Sequence, residues 1–156
     1  MSGLIIESTK IRDIMSHLPV TMLVTSSAAD IAKKMTGQRV GSILLIDYDN
    51  KPIGIVTERD IVRQACSQNL PLESVPAALL MSAPLVVVEA SDNLRSAVEL
   101  MIKHGIRHLA VKNKKIDKQV IGILSVVDII THLGKQLMLS DSPSSIFPLL
   151  SSLRIE

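Results

Sequence analysis

Met15-Ser16 is echoed further along the chain by Met81-Ser82, and the same succession of segments follows each pair. First comes an apolar run opened by proline, residues 19–24 and 84–88. A polar start follows, Thr25-Ser26-Ser27 and Ser91-Asp92-Asn93. Then comes helical spacing: Ala28, Ile31, Ala32 and Met35 in the first copy, Leu94, Ala97, Val98 and Met101 in the second. Each set falls at i, i+3, i+4 and i+7, which is one face of a helix. A second apolar run follows at 40–46 and 106–111, and up to here the copies align without a gap. A polar turn spans 47–52 and 112–119, the second two residues longer. Last come Ile53-Gly54-Ile55-Val56-Thr57-Glu58-Arg59-Asp60 and Ile121-Gly122-Ile123-Leu124-Ser125-Val126-Val127-Asp128, which run into short helices near 60–68 and 128–138.

An internal repeat restricts the fold more than any local propensity, because each copy must be the same supersecondary unit. The order of segments predicts β-α-β-β-α in each copy, an α/β (α+β) fold. The strands are short and rich in Ile and Val, as buried strands are. A copy of about 60 residues makes a thin core, so the two are expected to pack as one pseudo-symmetric module. The expected division is a first domain at 8–66, a linker at 67–76, a second domain at 77–134 and a C-terminal tail at 135–156.

Composition narrows the chemistry. Nearly half of the 156 residues, 47%, are apolar. Tyr48 and Phe147 are the only aromatics and there is no Trp. A flat ligand would lie between aliphatic side chains, not on rings. The net charge of +2, from 17 basic and 15 acidic residues, is too balanced for a nucleic-acid footprint. The basic stretch Lys112-Asn113-Lys114-Lys115 with Lys118 reads as a solvated turn before a phosphate patch. Cys66 is the only cysteine, which fits a reducing compartment. No apolar run reaches the length of a membrane helix and no secretory signal opens the chain, so a cytoplasmic location is expected.

The pattern Gly-h-h-[Thr/Ser]-x-x-Asp, where h is apolar, occurs twice, as Gly54…Thr57…Asp60 and Gly122…Ser125…Asp128. Its plain structural meaning is a helix start, with Thr57 or Ser125 as N-cap and the acid three residues on completing a capping box. The same geometry has a functional meaning. A helix N-terminus leaves N–H groups free and attracts phosphate, and an Asp beside it can accept both hydroxyls of a ribose.

Together with Ile11-Arg12-Asp13-Ile14-Met15 and Gly105-Ile106-Arg107-His108-Leu109, these motifs make residues 11–133 resemble a tandem pair of CBS domains, the cystathionine-beta-synthase regulatory module or Bateman module. The resemblance implies two ligand clefts between the copies. In each, the motif Asp would hold an adenosine ribose, with the motif Thr or Ser nearby. A branched residue of the first strand would lie against the purine. Residues opening the second strand of the other copy would meet the phosphate. Carried over, one cleft takes Asp60 and Thr57 with Val86, Arg107 and His108. The other takes Asp128 and Ser125 with Val20, Gly41 and Ser42. Arg can fix a phosphate by charge-assisted bonds and Gly-Ser cannot, so the Asp60 cleft is the expected main site. Where the family often has Pro shortly after such a basic pair, Ala110 stands here.

The remaining candidates have plain explanations. Without the repeat, Arg107-His108 would read as part of an edge strand. His104 and His108 have helical metal-pair spacing, but Gly105 breaks the helix between them and no third ligand is near. Met15, Met35, Met81 and Met101 recur by symmetry and read as core filler. No catalytic constellation is found, so the chain is expected not to be an enzyme. It is expected to be a standalone sensor of an adenine nucleotide, with AMP, ADP or ATP placed ahead of S-adenosylmethionine, signalling to an unidentified regulated protein. The alternatives are a constitutive dimeric adaptor with degenerate clefts, or a nucleic-acid-binding module. A homodimer is expected from the apolar surface of helices 94–104 and 128–138. The apolar residues of the tail, Phe147 among them, are read as a docking segment or an unstructured terminus.

Overall fold

The computed structural model describes residues 2–115 and 119–138. Lys118 and the tail from 139 onward, with Phe147, lie outside the described residues. Among the described residues there are two sheets and five α-helices, distributed over two compact units.

The continuous unit is Pro19–Leu85. Its sheet has the order β2-β3-β4, with β2 at Thr21–Leu23, β3 at Ser42–Ile46 and β4 at Pro52–Thr57. β2 runs parallel to β3 and β4 antiparallel to it. The parallel pair requires a crossover, and helix α2, Ala28–Gln38, supplies it. Ser27 caps α2 by accepting from the Asp30 N–H at 3.1 Å. Ala28, Ile31 and Met35 are buried and Ala32 half-buried, so the apolar face expected from the spacing is the face that packs. After β4 the chain enters α3, Glu58–Asp60, which continues as a π-turn at Ile61–Ala65 and a 3-10 turn at Cys66–Gln68.

The other unit joins residues 2–18 to residues 86–115 and 119–138. Its sheet has the order β1-β7-β6-β5: β1 is Ser16–His17, β5 Val87–Glu89, β6 His108–Lys112 and β7 Val120–Ser125. β5 and β6 are parallel and joined through α4, Leu94–His104, while β7 is antiparallel to both β6 and β1. Asn93 caps α4 through the Ser96 N–H. The helix ends on Gly105 at φ 63°, the left-handed C-cap that glycine adopts without strain. In the first copy Arg39 takes that place at φ 55°. Leu94, Ala97, Val98 and Met101 are all buried. Its last described element is α5, Val126–Met138. The β-α-β-β-α order expected of each copy is therefore present twice.

The two copies exchange their flanks. Residues that precede the first copy's strands pack with the second copy, and residues 67–85 pack with the first. The echo of Met15-Ser16 in Met81-Ser82 has its physical reason here. Ser16 pairs with Ile123 of β7, and Ser82 bridges Ile55 of β4 in the same antiparallel manner. In both places the following backbone lies over the motif glycine. A Cβ on Gly122 would stand 2.6 Å from the Ser16 carbonyl oxygen and 2.9 Å from the Met15 sulfur. On Gly54 it would stand 2.6 Å from the Met81 sulfur and 3.2 Å from the Ser82 carbonyl oxygen. Residues 67–76, expected as a linker, contribute Val75 to the core of the continuous unit, and Ala77 and Leu80 follow it there. Helix α1, Ser2–Ser8, was not expected from the sequence. Its Ile5 and Ile6 pack against the core of the other unit, and Glu7 pairs with Arg95 of α4 at 3.0 Å.

Candidate functional site

Each unit gathers its motif residues at one end of its own sheet. In the continuous unit, β3 begins at Ser42 opposite Thr57, where β4 ends. The Leu44 N–H donates to the Val20 carbonyl at 3.0 Å, which ties the approach to β2 to this end. The Glu58 N–H donates to the Gly41 carbonyl at 3.1 Å, turning the chain from β4 into α3. Val20, Gly41, Ser42, Thr57 and Asp60 thus share one sheet end. Ser42 is buried and the other four are half-buried.

The capping box expected at Thr57 is complete. Its hydroxyl accepts the Asp60 N–H at 3.3 Å and donates to Asp60 Oδ2 at 2.7 Å, while the Thr57 N–H donates to the same Oδ2 at 2.8 Å. One carboxylate oxygen is therefore committed to the cap. The other, Oδ1, receives Gln64 Nε2 at 3.3 Å.

The second unit repeats the arrangement. His108 opens β6 opposite Ser125. The Val126 N–H donates to the Arg107 carbonyl at 3.0 Å, and the Ala110 N–H to the Val86 carbonyl at 3.1 Å. Ser125 donates to Asp128 Oδ2 through both its N–H, at 2.8 Å, and its hydroxyl, at 2.7 Å, and accepts the Asp128 N–H at 3.2 Å. Val86, Arg107, His108, Ser125 and Asp128 are all half-buried. β6 is flanked on both sides, by β7 and β5. The edge-strand explanation of Arg107-His108 is therefore replaced: these residues open an inner strand.

The two sheet ends differ in chemistry. One presents the neutral Gly41-Ser42 beside Thr57-Asp60, and the other presents Arg107-His108 beside Ser125-Asp128. Each pairs a helix start with a carboxylate that keeps one oxygen outside the cap, a combination able to meet a polyol and an anion. The two ligand sets carried over from the family each draw on both units, whereas the residues brought together here are those of one unit at a time.

Two residues of this neighbourhood had no sequence signal beyond their positions. Gln64 lies four residues after Asp60, so both lie on the same helix face. Ser16, in β1, places its hydroxyl 3.5 Å from Asp128 Oδ1. The i, i+4 spacing of Asp60 and Gln64 was legible; the exchange of flanks that brings Ser16 to Asp128 was not. Among the described residues, no three His, Cys, Asp or Glu side chains gather as a metal ion would require. Nor is any helix there long and apolar enough to cross a membrane.

A family model described as the CBS domain matches residues 11–66 and 77–135. The uncharacterized protein MK0525 of Methanopyrus kandleri is 35% identical over 76% of this chain, which spans 57% of that relative's length. The uncharacterized protein YlbB of Bacillus subtilis is 31% identical over 78% of this chain and 80% of its own. Among solved structures, the CBS domain protein PAE2072 from Pyrobaculum aerophilum, complexed with AMP, is 29% identical with a TM-score of 0.71. That match covers 92% of this chain and 99% of the other. A CBS domain protein of unknown function from Thermoplasma acidophilum, TA0289, shares the fold at 22% identity with a TM-score of 0.75, over 95% of this chain and 78% of its own. With both repeats matched and the β-α-β-β-α order present twice, the chain belongs to the CBS domain family and carries two CBS domains in tandem.

Proposed function

We propose that the chain is a regulatory binding module, not an enzyme, that takes an adenosine-containing ligand and signals to a partner protein. The ligand is AMP, ADP or ATP ahead of S-adenosylmethionine. The observation that carries this reading is the likeness, at 29% identity over 92% of the chain, to a CBS protein complexed with AMP. The two capped carboxylates support it, because each keeps an oxygen outside its cap for a hydroxyl. In this reading Asp60 and Thr57 act with Val86, Arg107 and His108 on the main ligand, and Asp128 and Ser125 act with Val20, Gly41 and Ser42 on a weaker one. These groupings rest on the family resemblance.

Arg107→Ala tests the phosphate role. A charge-assisted bond to phosphate contributes about 1.5–3 kcal/mol, so AMP affinity is expected to fall about ten- to a hundredfold. Adenosine, which lacks the charge, should bind the variant nearly as well as the parent. Calorimetry that finds equal losses for both ligands would remove Arg107 from phosphate recognition.

We also propose a homodimer. Ile102 on α4 and Val127 on α5 are 51% and 70% exposed, large apolar side chains that a partner surface would cover. Light scattering at micromolar concentration should give twice the 16.9 kDa chain mass; a monomeric mass contradicts the proposal. The competing reading, a constitutive adaptor that binds no nucleotide, differs in its absorbance. With one Tyr and no Trp, a co-purified adenine would dominate the spectrum near 260 nm, and an adaptor would show none.

A further inference from the structure

The carboxylate of Asp60 has almost no hydrogen-bonding capacity left. An ionised carboxylate offers about four lone-pair positions. Two of them, on Oδ2, are taken by the Thr57 N–H and hydroxyl at 2.8 and 2.7 Å. A third, on Oδ1, is taken by Gln64 Nε2 at 3.3 Å. Among the described residues that leaves at most one, whereas a ribose with two free hydroxyls needs two. To seat both, one existing bond must yield. The Thr57 bonds are short and close the capping box, so the longer bond from Gln64 is the one that gives way.

Gln64 is placed to do this. Its Nε2 also donates to the Leu80 carbonyl at 3.2 Å, so the side chain keeps a partner after leaving Asp60. It lines a hollow of about 450 Å³ together with Gln68, Leu79 and Leu80, which leaves it room to swing. It sits on the π-turn at Ile61–Ala65, a rare helical irregularity that is frequent at functional sites. The second copy has no counterpart. His132 occupies the matching position on α5 and lies 3.4 Å from the Thr9 hydroxyl, and Asp128 Oδ1 meets the Ser16 hydroxyl at 3.5 Å.

We propose that Gln64 is a positioning residue, acting through Asp60, that sets hydroxyl selectivity there: it occupies one lone pair of the carboxylate and so competes with the second of two ribose hydroxyls. This rests on the reading that adenosine sits on Asp60. A ligand with a single hydroxyl at that position uses the vacant lone pair and leaves Gln64 in place.

The test is calorimetry on the full chain with adenosine and 2′-deoxyadenosine, comparing the parent with Gln64→Met, which keeps the length of the side chain and removes its donor. Adenosine affinity is expected to rise about tenfold, the low end of the range for a hydrogen bond to a charged acceptor, because the Gln64 bond is long at 3.3 Å. Affinity for 2′-deoxyadenosine should stay unchanged. If the two ligands change in parallel, or neither changes, or adenosine binds more weakly, Gln64 does not compete for Asp60. A merely structural role would move both ligands together. Asp60→Ala run alongside separates the two levels of the argument: adenosine binding that is absent, or indifferent to that change, overturns the reading of the site and the Gln64 role with it. Should Gln64→Met fail to fold, the parent protein answers through the Gln64 side-chain amide signals in NMR. They should shift with adenosine and hold still with 2′-deoxyadenosine, and an equal response to both overturns the proposal.

Discussion

Asp60→Ala should lower the affinity for adenosine and for AMP by about ten- to a hundredfold, because it removes bonds to a charged acceptor that contribute about 1.5–3 kcal/mol each. Asp60 also accepts the Thr57 N–H in its capping box, so the variant should lose about 1 kcal/mol of stability as well. The second copy supplies the control. Asp128 closes the same cap on Ser125, so Asp128→Ala should destabilise the fold by a similar amount. Its effect on AMP should be smaller, since the phosphate partners carried over for its ligand are Gly41 and Ser42. Comparing denaturation midpoints with calorimetric affinities in the two variants separates the cap from the ligand. Matching stability losses with unequal binding losses fit the proposal. Undiminished binding in Asp60→Ala with loss in Asp128→Ala would assign the main site to the other carboxylate.

Gly122→Ala is expected to be the most damaging small substitution in either motif, costing about 3 kcal/mol, the upper part of the range for overpacking. The added Cβ meets the Ser16 carbonyl oxygen at 2.6 Å. That oxygen belongs to β1, which is held on β7 by the pairs Ser16↔Ile123 and His17↔Gly122, so relief requires the strand itself to move. Gly54→Ala is expected to cost less, about 1–2 kcal/mol. There the atom at 2.6 Å is the sulfur of the flexible Met81 side chain, while the Ser82 carbonyl oxygen stands off at 3.2 Å. Shortening Met81 should recover part of the Gly54→Ala loss. Shortening Met15 should recover little in Gly122→Ala, because the backbone oxygen stays. Urea titrations give both values, and a Gly122→Ala cost no larger than that of Gly54→Ala would contradict this account of the motif glycines.

The elements that were legible in the sequence are those whose signal is local. The faces of α2 and α4 follow from apolar spacing, their beginnings from the polar stretches Thr25-Ser26-Ser27 and Ser91-Asp92-Asn93, and the helix starts at Thr57 and Ser125 from the capping-box pattern. The repeat added confidence that local signals lack, because each pattern could be checked against its copy. What sequence order could not convey is pairing at a distance. Ser16 joins β7 across more than a hundred residues, and Ser82 bridges Ile55, so the exchanged flanks were visible as echoing dipeptides without a reason. Helix α1 was missed because its short run, Leu4-Ile5-Ile6, is too brief to show a period. At the candidate site the carboxylates and their caps were legible. The state of Asp60 Oδ1 was not, since the i, i+4 spacing of Gln64 suggests a contact and cannot say which lone pairs it consumes.

The most direct test of the central claim is a calorimetric titration of AMP into the full chain after any co-purified nucleotide has been removed. Saturable binding is expected, with a melting temperature that rises as AMP is added, as mass action on the folded state requires. An absence of binding heat and of any thermal shift up to millimolar AMP, ADP and ATP would contradict the account and favour an adaptor that binds no nucleotide.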